Sequence, residues 1–115
     1  MVSGTGKQVV LVTSGSLKEA RTIARAVVEK RLAACVNIGT APVESVYRWK
    51  RKVETAREFL LVIKTTASRL EALEREVMRM HSYDVPEFVV LEIARGSKEY
   101  LRWLEDSLSR DRSAK

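Results

Sequence analysis

The chain has 115 residues, 45% of them hydrophobic, with 21 lysines and arginines against 15 acidic residues and a formal charge of +6. That length fits one domain around one core, and the charges are mixed in sign along the chain, as a solvated surface requires, so basicity alone names no anionic partner. A single cysteine excludes an internal disulfide, no apolar run approaches the roughly 20 residues of a membrane span, and no secretory pattern is present, so a cytoplasmic protein is expected.

Residues 1–7 contain Gly and Ser without period and read as a flexible start. Gly4-Thr5-Gly6-Lys7 imitates a phosphate loop but precedes a strand and lacks the full spacing. Gln8 to Thr13 is a buried strand by its β-branching. Ser16 and Glu19 form an S-x-x-E capping box that opens a helix, with Ala20, Ile23, Ala24, Val27 and Val28 as its apolar stripe. Leu32 to Ile38 reads as a second strand, interrupted at Gly39 to Pro42 and resumed from Val43 to Trp49 as a hairpin arm. The arm turns near Lys50-Arg51 and returns into Phe59 to Ile63. Ser68 and Glu71 repeat the capping box before a second helix with Leu70, Leu73, Val77 and Met80 inward. Phe88 to Ala94 is the last strand, and Ser97 caps a final helix carrying Leu101, Leu104 and Leu108. Residues 110–115 are polar and read as a flexible end.

This order is α+β, a ferredoxin-like βαββαβ sandwich with an additional C-terminal helix, in one domain over residues 8–109. Helices cover only one face of such a sheet, yet Val9 to Val12, Phe59 to Ile63 and Phe88 to Leu91 are apolar at both parities. Leaving one set in water forgoes many kcal/mol, at about 25 cal/mol per Å², so another copy of the chain should cover it, with Leu61 among the outward residues.

Between the second helix and the last strand, His81-Ser82-Tyr83-Asp84-Val85-Pro86-Glu87 gathers the only histidine, a tyrosine, two carboxylates and a proline. Pro86 cannot continue a helix and pushes Val85 toward an extended backbone, so the chain turns here.

Lys30 to Ile38, Ser45 to Lys50, Leu60 to Thr66, His81 to Glu87 and Tyr100 to Leu104 together resemble the CutA family, the divalent-cation tolerance proteins, over about residues 8 to 108. The resemblance implies a ferredoxin-like homotrimer similar to the PII signalling proteins, a role linked to copper or another divalent cation, and no enzymatic activity. Two positions depart from the family pattern: Ser82 stands where proline is usual after the histidine, and Arg51 where glycine is usual at the hairpin tip.

By the same resemblance His81 is the leading metal contact, imidazole being suited to copper, with Asp84, Glu87 or a neighbouring subunit completing the shell. The competing reading is a structural histidine bonded to a backbone carbonyl. Cys35 is a further donor by its chemistry, although its apolar neighbours suit a small core residue better. Tyr47, Trp49, Tyr83 and Trp103 are expected at a subunit interface or in a cleft between subunits. A PII-like trimer binding a small molecule is the alternative function. RNA binding, suggested by Tyr47-Arg48-Trp49-Lys50-Arg51-Lys52, lacks the basic-aromatic pattern expected on a central strand.

Overall fold

A computed structural model describes residues 2–109, and of residues 2 and 3 the backbone alone. In chain order the elements are β1 (Val2–Ser3), β2 (Lys7–Ser14), α1 (Leu17–Glu29), β3 (Cys35–Ile38), β4 (Val43–Trp49), β5 (Lys52–Thr66), a 3-10 turn (Ala67–Arg69), α2 (Leu70–Met80), β6 (Val89–Glu92), β7 (Arg95–Gly96) and α3 (Lys98–Leu108). The main sheet runs β3-β5-β2-β6 with every pairing antiparallel, and β4 continues the pairing along β5 beyond the Gly39 to Pro42 break. This is the ferredoxin-like arrangement. Where a flexible start was expected, Val2–Ser3 pairs with β7 and Thr5 Oγ1 donates to the Ile93 carbonyl at 2.7 Å. Residues 110–115 lie outside the described residues.

The period-2 rule assigns the sheet's faces. Val10 and Val12 of β2 lie opposite Ile63 and Leu61 of β5, and all four are fully buried beneath Ile23 and Val27 of α1 and Leu73 and Val77 of α2. Leu61 therefore points into the core, and the outward expectation is corrected: its strand neighbours Leu60 and Val62 take the other parity. On that open face Val9, Leu11, Leu60 and Val62 are half-buried, while Val89 and Leu91 are 45% and 48% exposed.

Local physics explains three further differences from the sequence reading. The second strand begins at Cys35, because Arg31 adopts a left-handed φ of 58°. There the Arg31 and Leu32 amides donate back to the Val28 and Val27 carbonyls of α1, at 3.0 and 2.9 Å, in a Schellman ending that holds Leu32 in the turn. Glycine usually occupies that position; here the guanidinium is in use, since Arg31 Nη1 donates to the Ser107 carbonyl at 3.0 Å and, with Arg69 on Leu108, caps the end of α3. Val28 drifts off the apolar stripe and is exposed. The second capping box does not form: Ser68 lies inside the 3-10 turn, bonded to Thr66 at 3.1 Å, and α2 starts without a side-chain cap.

The β4–β5 hairpin closes through Lys50 and Arg51 with φ of 49° and 70°, the doubly left-handed pair of a type I′ turn, which suits the right-handed twist of both arms. Arg51→Gly should raise stability by up to about 1 kcal/mol, less what the freer unfolded chain gives back. Thermal unfolding at fixed protein concentration checks this, and a lowered melting point would mean that the Arg51 side chain makes a stabilising contact.

Candidate functional site

The junction after α2 is built inward, from its histidine. Val77 accepts the His81 amide at 3.0 Å to end the helix, and the backbone of His81 turns extended, which drives the ring beneath the sheet edge. The ring is buried. Its Nε2 lies 2.7 Å from the Thr13 carbonyl at the end of β2, a contact only an N–H can satisfy, so Nδ1 is left as the acceptor of the Tyr83 amide at 3.1 Å. Glu19 Oε2 stands 3.5 Å from the same Nδ1 and accepts from Ser14 Oγ at 2.9 Å. This corrects the first capping box. Ser16 does accept the Glu19 amide at 3.0 Å, but the Glu19 carboxylate turns away from the helix start and toward His81.

Tyr83 carries this anchor to the surface. Its ring packs on His81 with centroids 4.7 Å apart, and its hydroxyl donates to Glu58 Oε2 at 2.8 Å, joining the junction to β5. Burial first, then the bond to the Glu58 carboxylate, push the Tyr83 phenol up to about 12. Gly15 makes room: a Cβ there would lie 3.0 Å from the hydroxyl.

Above Tyr83 opens a cleft of about 610 Å³ lined by Thr13, Ser45, Val46, Tyr47, Trp49, Glu58, Tyr83, Asp84, Val85 and Glu87. Its charged groups are the carboxylates of Glu58, Asp84 and Glu87, with no basic side chain among the lining residues. Glu58 is 8% exposed, whereas Asp84 and Glu87 stand at the rim. Partial desolvation against the wall, then repulsion from Glu58, raise the Glu87 carboxyl above its ordinary range.

The structure thus brings together His81, Tyr83, Asp84, Glu87, Tyr47 and Trp49 around one cleft, His81 as its buried support and the others on its walls. Cys35 is elsewhere, on β3 opposite Lys64 of β5, partly buried and outside the helix-facing core. Trp103 is also elsewhere, exposed on α3 with its ring 5.4 Å from that of Tyr100. Among the described residues no three His, Cys, Asp or Glu side chains converge as a metal site would require. Glu58 and Gly15 escaped the sequence reading. The signal for Glu58 was present, an acidic residue at the mouth of the apolar run Phe59 to Ile63, but its partner lies 25 residues away.

Fold and cleft together define a ferredoxin-like α+β protein with an acidic cleft at the edge of its sheet. The chain belongs to the CutA1 divalent ion tolerance protein family, whose model matches residues 8–107. It is 48% identical over 101 residues to the divalent-cation tolerance protein CutA of Thermus thermophilus, across 88% of this chain and 97% of that one. A chloroplastic CutA of Arabidopsis thaliana is 46% identical over 99 residues, 86% of this chain and 54% of that protein. The solved structure of CutA from Archaeoglobus fulgidus, described as periplasmic, has a TM-score of 0.86 at 39% identity, covering 90% of this chain and 99% of that one. No helix among the described residues is long and apolar enough to cross a membrane.

Proposed function

We propose that the chain works as a cytoplasmic homotrimer that contributes to divalent-cation tolerance by binding, not catalysis, and that the acidic cleft is its binding site. One observation carries this: three carboxylates share one cleft without a basic side chain, in a chain whose net charge is +6. The trimer is supported by the open sheet face and by the exposed Val43, Val46 and Val53 of the hairpin, apolar area that water disfavours at about 25 cal/mol per Å². Copper or another divalent cation is then drawn to the field of Asp84, Glu87 and Glu58, which do not by themselves converge into a ligand set, and a neighbouring subunit supplies the remaining donors.

His81 supports this cleft and is not its first ligand, because both ring nitrogens are engaged and a metal would have to displace one of those bonds. RNA is disfavoured by the sheet itself. Phe59 packs into the core, so the open face of the central β5 offers Leu60 and Val62, with no aromatic platform for bases.

Light scattering at low micromolar concentration should give three times the chain mass, and a monomer mass there would end the trimer reading. In calorimetric titration Cu(II) should bind weakly. Asp84→Asn with Glu87→Gln should weaken it about tenfold or more, and Cys35→Ser should leave it unchanged. Copper binding that survives the double substitution but fails in Cys35→Ser would move the site to β3.

A further inference from the structure

We propose that His81 is a proton-operated latch on the wall of the cleft: the neutral ring holds the Tyr83 amide, and a ring with a second proton passes Nδ1 to the Glu19 carboxylate and lets Tyr83 go. The latch acts on that wall whatever the cleft binds.

Nδ1 has two neighbours with opposite demands. The Tyr83 amide, 3.1 Å away, donates and needs the lone pair of a neutral imidazole, whereas Glu19 Oε2, 3.5 Å away, accepts and needs a proton on the same nitrogen. Both cannot be served at once. Beside the neutral ring Glu19 sets acceptor against acceptor, and its carboxylate is kept there by the Ser14 hydroxyl at 2.9 Å. Nε2 is indifferent to the change, because the Thr13 carbonyl accepts its N–H at 2.7 Å whether or not Nδ1 is protonated. The ring therefore stays anchored on β2 while Nδ1 changes partner.

The groups around the ring set where the second proton goes. Glu19 of α1 faces Nδ1 directly, β2 offers only the Thr13 carbonyl and the Ser14 hydroxyl, and Glu58 of β5 reaches the ring through Tyr83. Among the described residues no lysine or arginine is ion-paired with Glu19 or Glu58. The His81 side chain is fully buried, so an imidazolium there needs a carboxylate beside it, and Glu19 is that carboxylate. Tyr83 pays the cost. It keeps its ring on His81 and its hydroxyl on Glu58 but loses the bond that fixes its backbone, and Ser82 beside it, unlike proline, does not lock φ. Asp84, the next residue, then moves with that backbone at the rim of the cleft.

The test is nuclear magnetic resonance of the intact 15N-labelled protein, free of metal, from about pH 8 to about pH 5, a span that brackets the ordinary histidine range. With a single histidine in the chain, its ring nitrogens report tautomer and protonation directly. At the alkaline end the proton should sit on Nε2. As the ring takes its second proton, hydrogen-exchange protection of the Tyr83 amide should fall several-fold with the same midpoint, while the amides of the β2–β5 ladder stay protected. Glu19→Gln removes the charge that receives the new proton, so it should move the midpoint to lower pH, and Glu58→Gln should move it less. A ring that stays neutral until the whole chain unfolds, a Tyr83 amide that keeps its protection through the histidine transition, or a midpoint that Glu19→Gln leaves in place would each overturn the latch. So would a Tyr83 transition that disappears in Glu58→Gln, since the trigger would then be that carboxylate.

Discussion

Leu61→Lys should prevent folding. Leu61 is fully buried between Val12 of β2 and Ile38 of β3, under the helices, and removing its side chain alone, as in Leu61→Ala, should cost about 2–5 kcal/mol. A lysine there adds an ammonium group with no partner in the core, a penalty that a domain stable by roughly 5–15 kcal/mol does not survive. The neighbouring change Val62→Lys meets the open face instead. It should keep the circular dichroism of the folded chain while lowering the mass seen by light scattering. The pair separates core from interface with one strand, because a single step along β5 reverses the side chain. A folded Leu61→Lys, or a Val62→Lys that unfolds while Leu61→Lys does not, would mean the register of β5 is shifted by one.

His81→Ala should be the most damaging change at the junction. It leaves the Thr13 carbonyl and the Tyr83 amide without partners, each worth about 1–3 kcal/mol when buried, and opens a cavity below the Tyr83 ring. The loss should appear in urea unfolding as a lower midpoint. Tyr83 should then be freed from Glu58, so its phenol, now held up to about 12, should titrate closer to 10 in ultraviolet absorbance. The linkage has a definite sign. Tyr83 is raised in the folded chain, so its contribution to stability is complete below pH 10 and fades as pH rises through about 12, and His81→Ala should remove that alkaline step. An unchanged urea midpoint would show that the two bonds of the ring are replaceable by water.

Glu58→Gln and His81→Ala also act on different quantities, which distinguishes a binding group from a support. The first should change Cu(II) affinity at nearly constant stability. The second should change stability first and affinity only through Tyr83.

What was legible in the sequence follows physical range. The β-branched runs, the apolar stripes of α1, α2 and α3 and the caps Ser16 and Ser97 depend on neighbours within a few residues, and local spacing was enough to give the ferredoxin-like order. Pro86 marked the junction, and the Lys50-Arg51 turn was legible from the alternation of its arms. The tertiary structure decided the rest. Doubly apolar strands carry no parity signal, so the direction of Leu61 depended on which face the helices covered. Ser68-x-x-Glu71 satisfied a local rule that the turn after β5 overrode, and Glu19 satisfied half of one while its carboxylate accepts instead from the Ser14 hydroxyl. The cleft exists only because Tyr83 reaches Glu58 across the sheet edge. No local pattern reports a hydrogen bond between a loop and a strand 25 residues earlier, since its energy is set by a burial that exists only after the chain has folded.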